Sequence, residues 1–225
     1  RYRLIVAPMM TMLKAGQAQR IREYVEQGGT FVTTCWSGIY DESMLAWLGG
    51  FPGDGLREVF GILDEEIDAL YPSDRNRLCA ATGNELGLEG EFEVSGLCGL
   101  IHAESADVWA TYADDFYAGR PALTCNNCGK GRAVYLAART DAAGLSAIYD
   151  RLTDLVGIEP VLETPAGVSA TLRRKGERAF LFLMNFNPEP ETVTLPAGHS
   201  FTNLLDGQQA SGKMELEGYG VAVLG

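Results

Sequence analysis

Residues 1–35 read RYRLIVAPMMTMLKAGQAQRIREYVEQGGTFVTTC. Leu4 to Ala7 form a short, continuous apolar run closed by Pro8, the pattern of a strand buried on both faces in a parallel sheet. Lys14 to Gln27 carry Ala18, Ile21 and Val25 at helical spacing, with charges on the other side. Gly28-Gly29 then stand where a left-handed C-cap stops a helix. Thr30 to Cys35 are again β-branched and apolar. The stretch therefore reads as strand, helix, strand with a right-handed connection, the unit of an α/β layer.

Outward from that unit, Arg132 to Ala138 read as another buried strand. Asp141 to Val156 read as a helix with Leu145, Ile148, Leu152 and Val156 on one face, stopped by Gly157. Residues 36–130 are less regular, with a helix expected near Arg57 to Leu70 and strands near Glu91 to Val94, Asp107 to Tyr112 and Ala122 to Thr124. The segment IEPVLETPAG has the prolines of an extended linker. Beyond it, VSATLRR, RAFLFLMNF, ETVTLP and MELEGYGVAVLG alternate with the turn signals Lys175-Gly176, Asn187-Pro188 and Asp206-Gly207. The division expected is an α/β domain over 1–158 and a small antiparallel β-domain over 159–225.

The 225 residues are 46% hydrophobic and 21% charged, which excludes a disordered or fibrous chain. A net charge of −12 argues against nucleic acid, whose phosphates need clustered Lys and Arg, and against anionic membranes. No apolar run approaches the roughly 18 residues that span a bilayer. Five scattered cysteines, an odd set, fit a reducing compartment better than a disulfide framework, so a cytoplasmic location is expected. The chain starts inside a strand without an initiator Met, from which a longer natural protein is expected.

Few residues form a chemical constellation. Cys125-Asn126-Asn127-Cys128 has CxxC spacing, but a structural zinc needs about four ligands and only two histidines exist, His102 and His199. The plain reading is a pair of turn cysteines; a thiol or metal-binding module is the alternative. Cys98, His102 and Glu104 contain the residue types of a cysteine nucleophile, its base and an orienting acid, yet all fall within one short segment. Asp64, Glu65, Glu66 and Asp68 read as a solvated helix face, since glycosidase carboxylates flank the scissile bond from opposite sides. Gly129 to Gly131 read as a tight turn rather than a phosphate loop. No catalytic, cofactor or metal residue is assigned.

The densest apolar feature is WSGIYDESMLAWLGGFPGDGL, a long connection of a kind seldom so rich in aromatics. Either the segment includes a short helix tucked on its own domain or part of it covers a partner subunit, where buried aromatics dominate binding, and the two are compatible; on the second reading Trp36, Ile39, Tyr40, Trp47 and Phe51 are the candidate interface.

The strings GGTFVTTCWSGIYDE, LGGFPGDGLREVFGILDEEIDALYP, GLCGLIHAESADVWATYADDFYAGRPALT and GKGRAVYL, in this order, resemble the trimerisation domain of glycoside hydrolase family 42 β-galactosidases. FLFLMNFN, NLLDG and the final GVAVL resemble that family's C-terminal β-domain. The resemblance implies a flavodoxin-like fold similar to class I glutamine amidotransferases, a parallel sheet with flanking helices, without amidotransferase activity. A free-standing cysteine enzyme on that fold is the alternative. It also implies that the parent removes terminal β-linked galactose with two glutamates on a TIM barrel absent from this chain. The partners implied are two further copies of the chain in a homotrimer, the barrel, and galactosides through the parent only.

Overall fold

The computed structural model describes residues 2–225. They fall into two compact units, the first ending at Ile158 and the second running Glu159–Gly225. In chain order the first unit contains β1 (Leu4–Ala7), α1 (Gln17–Glu26), β2 (Thr30–Thr34), α2 (Leu56–Phe60), β3 (Ile62–Ala69), β4 (Asn76–Ala80), β5 (Glu91–Ala103), β6 (Asp107–Tyr112), β7 (Pro121–Cys128), β8 (Gly131–Leu136), β9 (Ala138–Thr140) and α3 (Ala142–Leu155). The apolar stripe of α1 is buried as its spacing predicts, through Ala18, Ile21 and Val25. Asp141 caps α3, its side chain accepting from the Gly144 N–H at 2.8 Å.

One nine-stranded sheet runs through the unit in the order β1-β2-β8-β7-β6-β4-β5-β3, with β9 beside β5. Only β1 with β2 and β2 with β8 pair in parallel. Every other pair is antiparallel. This corrects the expected flavodoxin-like, class I glutamine amidotransferase-like sheet: the parallel strand-helix-strand unit exists, but it is one edge of a mixed sheet built mainly from hairpins.

Alternate side chains feed two cores. Val32, Leu100, Trp109, Val134 and Leu136 meet Ile148 and Leu152 of α3 on one face. Phe31, Ile101, Ala133 and Tyr135 meet Ile21, Val25, Val59 and Phe60 of α1 and α2 on the other. On that second face Tyr24, Phe31, Phe60 and Tyr135 form successive edge-to-face pairs with ring centroids 6.4, 6.2 and 5.7 Å apart. Each such pair is worth about 0.5–1.5 kcal/mol beyond burial.

The helix expected over Arg57 to Leu70 is also corrected: it ends at Phe60, and the remainder is strand β3. Gly61 makes the break. Its φ of 63° lies in the left-handed region, and a Cβ there would come within 2.5 Å of the Ser105 Oγ. Its carbonyl accepts from the N–H groups of Glu104, Ser105 and Ala106 at 2.8, 3.1 and 3.2 Å. A short helix leaves its last carbonyls without partners. Asn126, buried on β7, supplies them, its Nδ2 donating to the carbonyls of Glu58 and Val59 at 3.1 and 2.9 Å.

The second unit holds β10 (Val168–Lys175), β11 (Arg178–Asn185), β12 (Glu191–Thr194), β13 (Phe201–Thr202), β14 (Gln209–Ala210), β15 (Lys213–Leu216) and β16 (Val221–Leu224). β10-β11-β16 form one antiparallel sheet, and β12 with β15 and β13 with β14 form two ladders. Leu183, Val193, Leu216, Ala222 and Leu224 make the core. Buried Asn185 ties its end, donating to the carbonyls of Glu189 and Glu217 at 2.8 and 3.0 Å.

Asn126→Ala leaves the end of α2 unsatisfied and is expected to cost about 1–3 kcal/mol, read as a fall in melting temperature. The exposed neighbour change Asn127→Ala is expected to stay within about 0.5 kcal/mol of the parent.

Candidate assembly surface

The connection after β2 is anchored at its root and bare at its tip. Residues 10–13 and 38–40 run side by side, with the Leu13 N–H donating to the Tyr40 carbonyl at 2.9 Å and the Ile39 N–H to the Thr11 carbonyl at 2.9 Å. The chain then turns back on itself, since the Trp47 N–H donates to the Ile39 carbonyl at 3.0 Å. Asp41 shapes the tip: its Oδ1 accepts from the N–H groups of Ser43 and Leu45 at 2.8 and 3.0 Å, an Asx-type turn. Trp47 lies against the α1/α2 core, its ring so close to Gly53 that a Cβ there would meet Trp47 Cγ at 2.1 Å.

The candidate interface residues therefore separate. Ile39 is 6% exposed and belongs to the interior. Tyr40, Trp47 and Phe51 are half-buried, and Trp36 is 38% exposed. Outward at the tip stand Met44, Leu45 and Leu48, the last 99% exposed. Sequence reasoning counted these three among the apolar residues of the segment but did not select them; aromatic mass marks the segment, and exposure depends on which way the anchored turn faces.

The chemical candidates are dispersed. Cys125 and Cys128 sit in strand β7, not in a turn. Three positions apart on a strand, their side chains leave opposite faces. Cys125 packs with the α3 core and Cys128 with the α1/α2 core, so they neither pair nor share a ligand. Burial pushes the Cys125 thiol up to about 12, the reverse of what a reactive thiol needs. Cys98 and His102 lie four residues apart along strand β5, about 13 Å at 3.3 Å per residue. Cys98 is buried, and His102 instead contacts Glu65, its Nε2 2.6 Å from Oε2. Glu104 pairs with Arg57. The acidic series lies on edge strand β3 with a bulge between Asp64 and Glu66, so its members do not share one helix face.

A family profile described as the β-galactosidase trimerisation domain matches residues 1–159, and one described as the β-galactosidase C-terminal domain matches residues 167–225. The chain belongs to glycoside hydrolase family 42. Its two segments correspond to that family's trimerisation domain and C-terminal domain. Beta-galactosidase Pbg of Clostridium perfringens is 44% identical over 226 residues, covering 100% of this chain and 32% of the relative. The β-galactosidase crystal structure from Bacillus circulans sp. alkalophilus superposes with a TM-score of 0.91 at 42% identity, covering 99% of this chain and 33% of that one. Gan42B, a GH42 β-galactosidase from G. stearothermophilus, gives a TM-score of 0.85 at 36% identity, covering 99% and 31%. The chain thus spans about a third of the length of these relatives.

Within this family 42 domain the most unusual polar group is Asp64, 3% exposed. Its Oδ2 accepts from the Tyr135 hydroxyl at 2.8 Å, while Oδ1 is buried without a partner. Burial raises its carboxyl from 3.8 to about 6, and the Tyr135 hydrogen bond opposes part of that rise. A folded value above the unfolded one means that the carboxyl's contribution is fully present below about pH 4 and is lost as pH rises through about 6. Asp64→Asn removes the buried charge. Its melting temperature is expected to exceed the parent's at pH 7.5, by a stability difference on the order of 1–3 kcal/mol, with the gap closing by pH 4; equal pH profiles for the two proteins would refute this.

Proposed function

We propose that this chain is the assembly portion of a longer enzyme that hydrolyses terminal non-reducing β-D-galactosides by a retaining mechanism. In this reading the acid/base and nucleophilic glutamates lie on a TIM barrel elsewhere in the protein, and the chain holds three barrels in fixed relation. The observation that carries it is the pair of adjoining family matches, trimerisation domain then C-terminal domain, over nearly the whole length. The named relatives are β-galactosidases of about three times this length, which supports a catalytic portion of matching size beside it.

Self-association through the tip of the connection after β2 fits the physical pattern. Met44, Leu45 and Leu48 expose apolar area on a short, hydrogen-bonded turn, and grouped exposed apolar side chains of this kind mark interaction surfaces. The anchored aromatics behind them fix the turn in place, so little conformational entropy is lost on contact. Trp36 and Phe51, partly exposed at the root, extend the same surface toward the subunit neighbour or the barrel. Cytoplasmic residence accords with five free thiols.

The full-length enzyme is expected to cleave a chromogenic β-galactoside and to have the mass of a trimer by light scattering, while the purified 225-residue chain shows no turnover. Turnover by the chain alone, or a monomeric full-length enzyme, would refute this reading. Joint substitution of Met44, Leu45 and Leu48 by Glu is expected to dissociate the trimer while leaving the melting temperature of the chain within a few degrees of the parent. Trp47→Ala, by emptying packed space, is expected to lower that temperature by an amount equivalent to about 3–5 kcal/mol.

A further inference from the structure

Resting on the assembly reading, we infer that the tip of the connection after β2 plugs into an apolar cleft beside α3 on the next copy of the chain. A ring of three closes by head-to-tail contact, so each copy must present two different, complementary surfaces. The tip is one. Met44, Leu45 and Leu48 are 61%, 66% and 99% exposed, and Glu42, two residues before Met44, is exposed as well, one of its carboxylate oxygens accepting from the Ala15 N–H at 3.2 Å and the other left for a partner. Its counterpart must be concave, apolar and positively charged at the rim.

A cleft of about 320 Å³ beyond the carboxyl ends of β1, β2 and β8 has those properties. Met9, Leu97, Leu136, Leu145 and Tyr149 supply apolar walls, and Arg139 is its cation. The Arg139 side chain is exposed and has no ion pair among the described residues, although the chain carries 30 carboxylate side chains against 18 Lys and Arg. An unpaired guanidinium over an apolar hollow favours an aliphatic group with a carboxylate beside it, which is the chemistry of the tip. The cleft between Trp36 and Phe51, about 260 Å³, is lined by Asp64, Glu65 and Glu66 and would repel Glu42.

Placement on the sheet supports a contact between copies rather than within one. The root of the connection packs through Trp47 into the α1/α2 core, whereas the cleft opens beside α3 on the opposite face. Both lie at the same end of the sheet, since the connection leaves β2 where the cleft begins, at Thr34 and Cys35. A copy turned about an axis near that end offers its cleft to the tip of its neighbour, and repetition closes the ring.

The test uses the full-length enzyme with Leu48→Cys and Leu145→Cys combined, treated with diamide, which takes up the two protons and two electrons released as the thiols join. Both positions are at the surface, so folding is retained. The expected result is a ladder of covalent dimers and trimers on a non-reducing denaturing gel, reversed by reductant and missing from Leu145→Cys alone and from the parent. Arg139→Glu is expected to raise the dissociation constant of the trimer at least tenfold, and adding Glu42→Arg is expected to restore most of that loss. A doubly substituted enzyme that is trimeric by light scattering yet gives only monomer on the gel overturns the pairing and leaves the assembly reading standing. A parent enzyme that is monomeric overturns both.

Discussion

Strand β8 has to be covered on both faces and joined on both edges, and much of the first unit follows from how that is achieved. Val134 and Leu136 point to the α3 core, while Ala133 and Tyr135 point to the α1/α2 core. On one edge β8 meets β2 in parallel; on the other it meets β7 antiparallel. It is therefore the seam where an α/β edge is welded to a larger set of hairpins. Tyr135 carries the seam further, because its hydroxyl bonds Asp64 on distant strand β3 and its ring closes the aromatic series that begins at Tyr24. A strand so placed tolerates no exposed face, which explains the continuous apolar run of its sequence.

The legible parts of the fold were those whose signals are local. The strand, helix and strand of the first 35 residues, and the capped helix after Thr140, announce themselves through period, cap and stop. The antiparallel middle did not. Leu63, Ile67 and Leu70 continue the helical spacing of Leu56, Val59 and Phe60, so the segment reads as one amphipathic helix. What ends it is the left-handed conformation at Gly61, held by three N–H donors from the turn between β5 and β6 about forty residues later, while Asn126 on β7 takes up the carbonyls of Glu58 and Val59. Those partners are tertiary. A similar reason hid the strand position of Cys125 and Cys128: the run CNNC is polar at its centre because Asn126 serves the end of α2 rather than solvent.

The candidate assembly surface was half legible. The aromatic content of the connection after β2 marked it as unusual, yet the aromatics are chiefly its foundations. Ile39 is interior and Trp47 packs into the core, and these root residues hold a turn whose exposed members are aliphatic. Such a division suits a surface that must be rigid before it is bound. Backbone pairing with residues 10–13 and the Asp41 side chain leave the tip little freedom to lose.

A structure of the full-length enzyme in solution by electron cryomicroscopy tests the central claim, that this connection is where copies of the chain meet. The account predicts that residues 41–48 of each subunit lie in van der Waals contact with another subunit of a closed ring. A ring in which those residues face solvent in every subunit would contradict it.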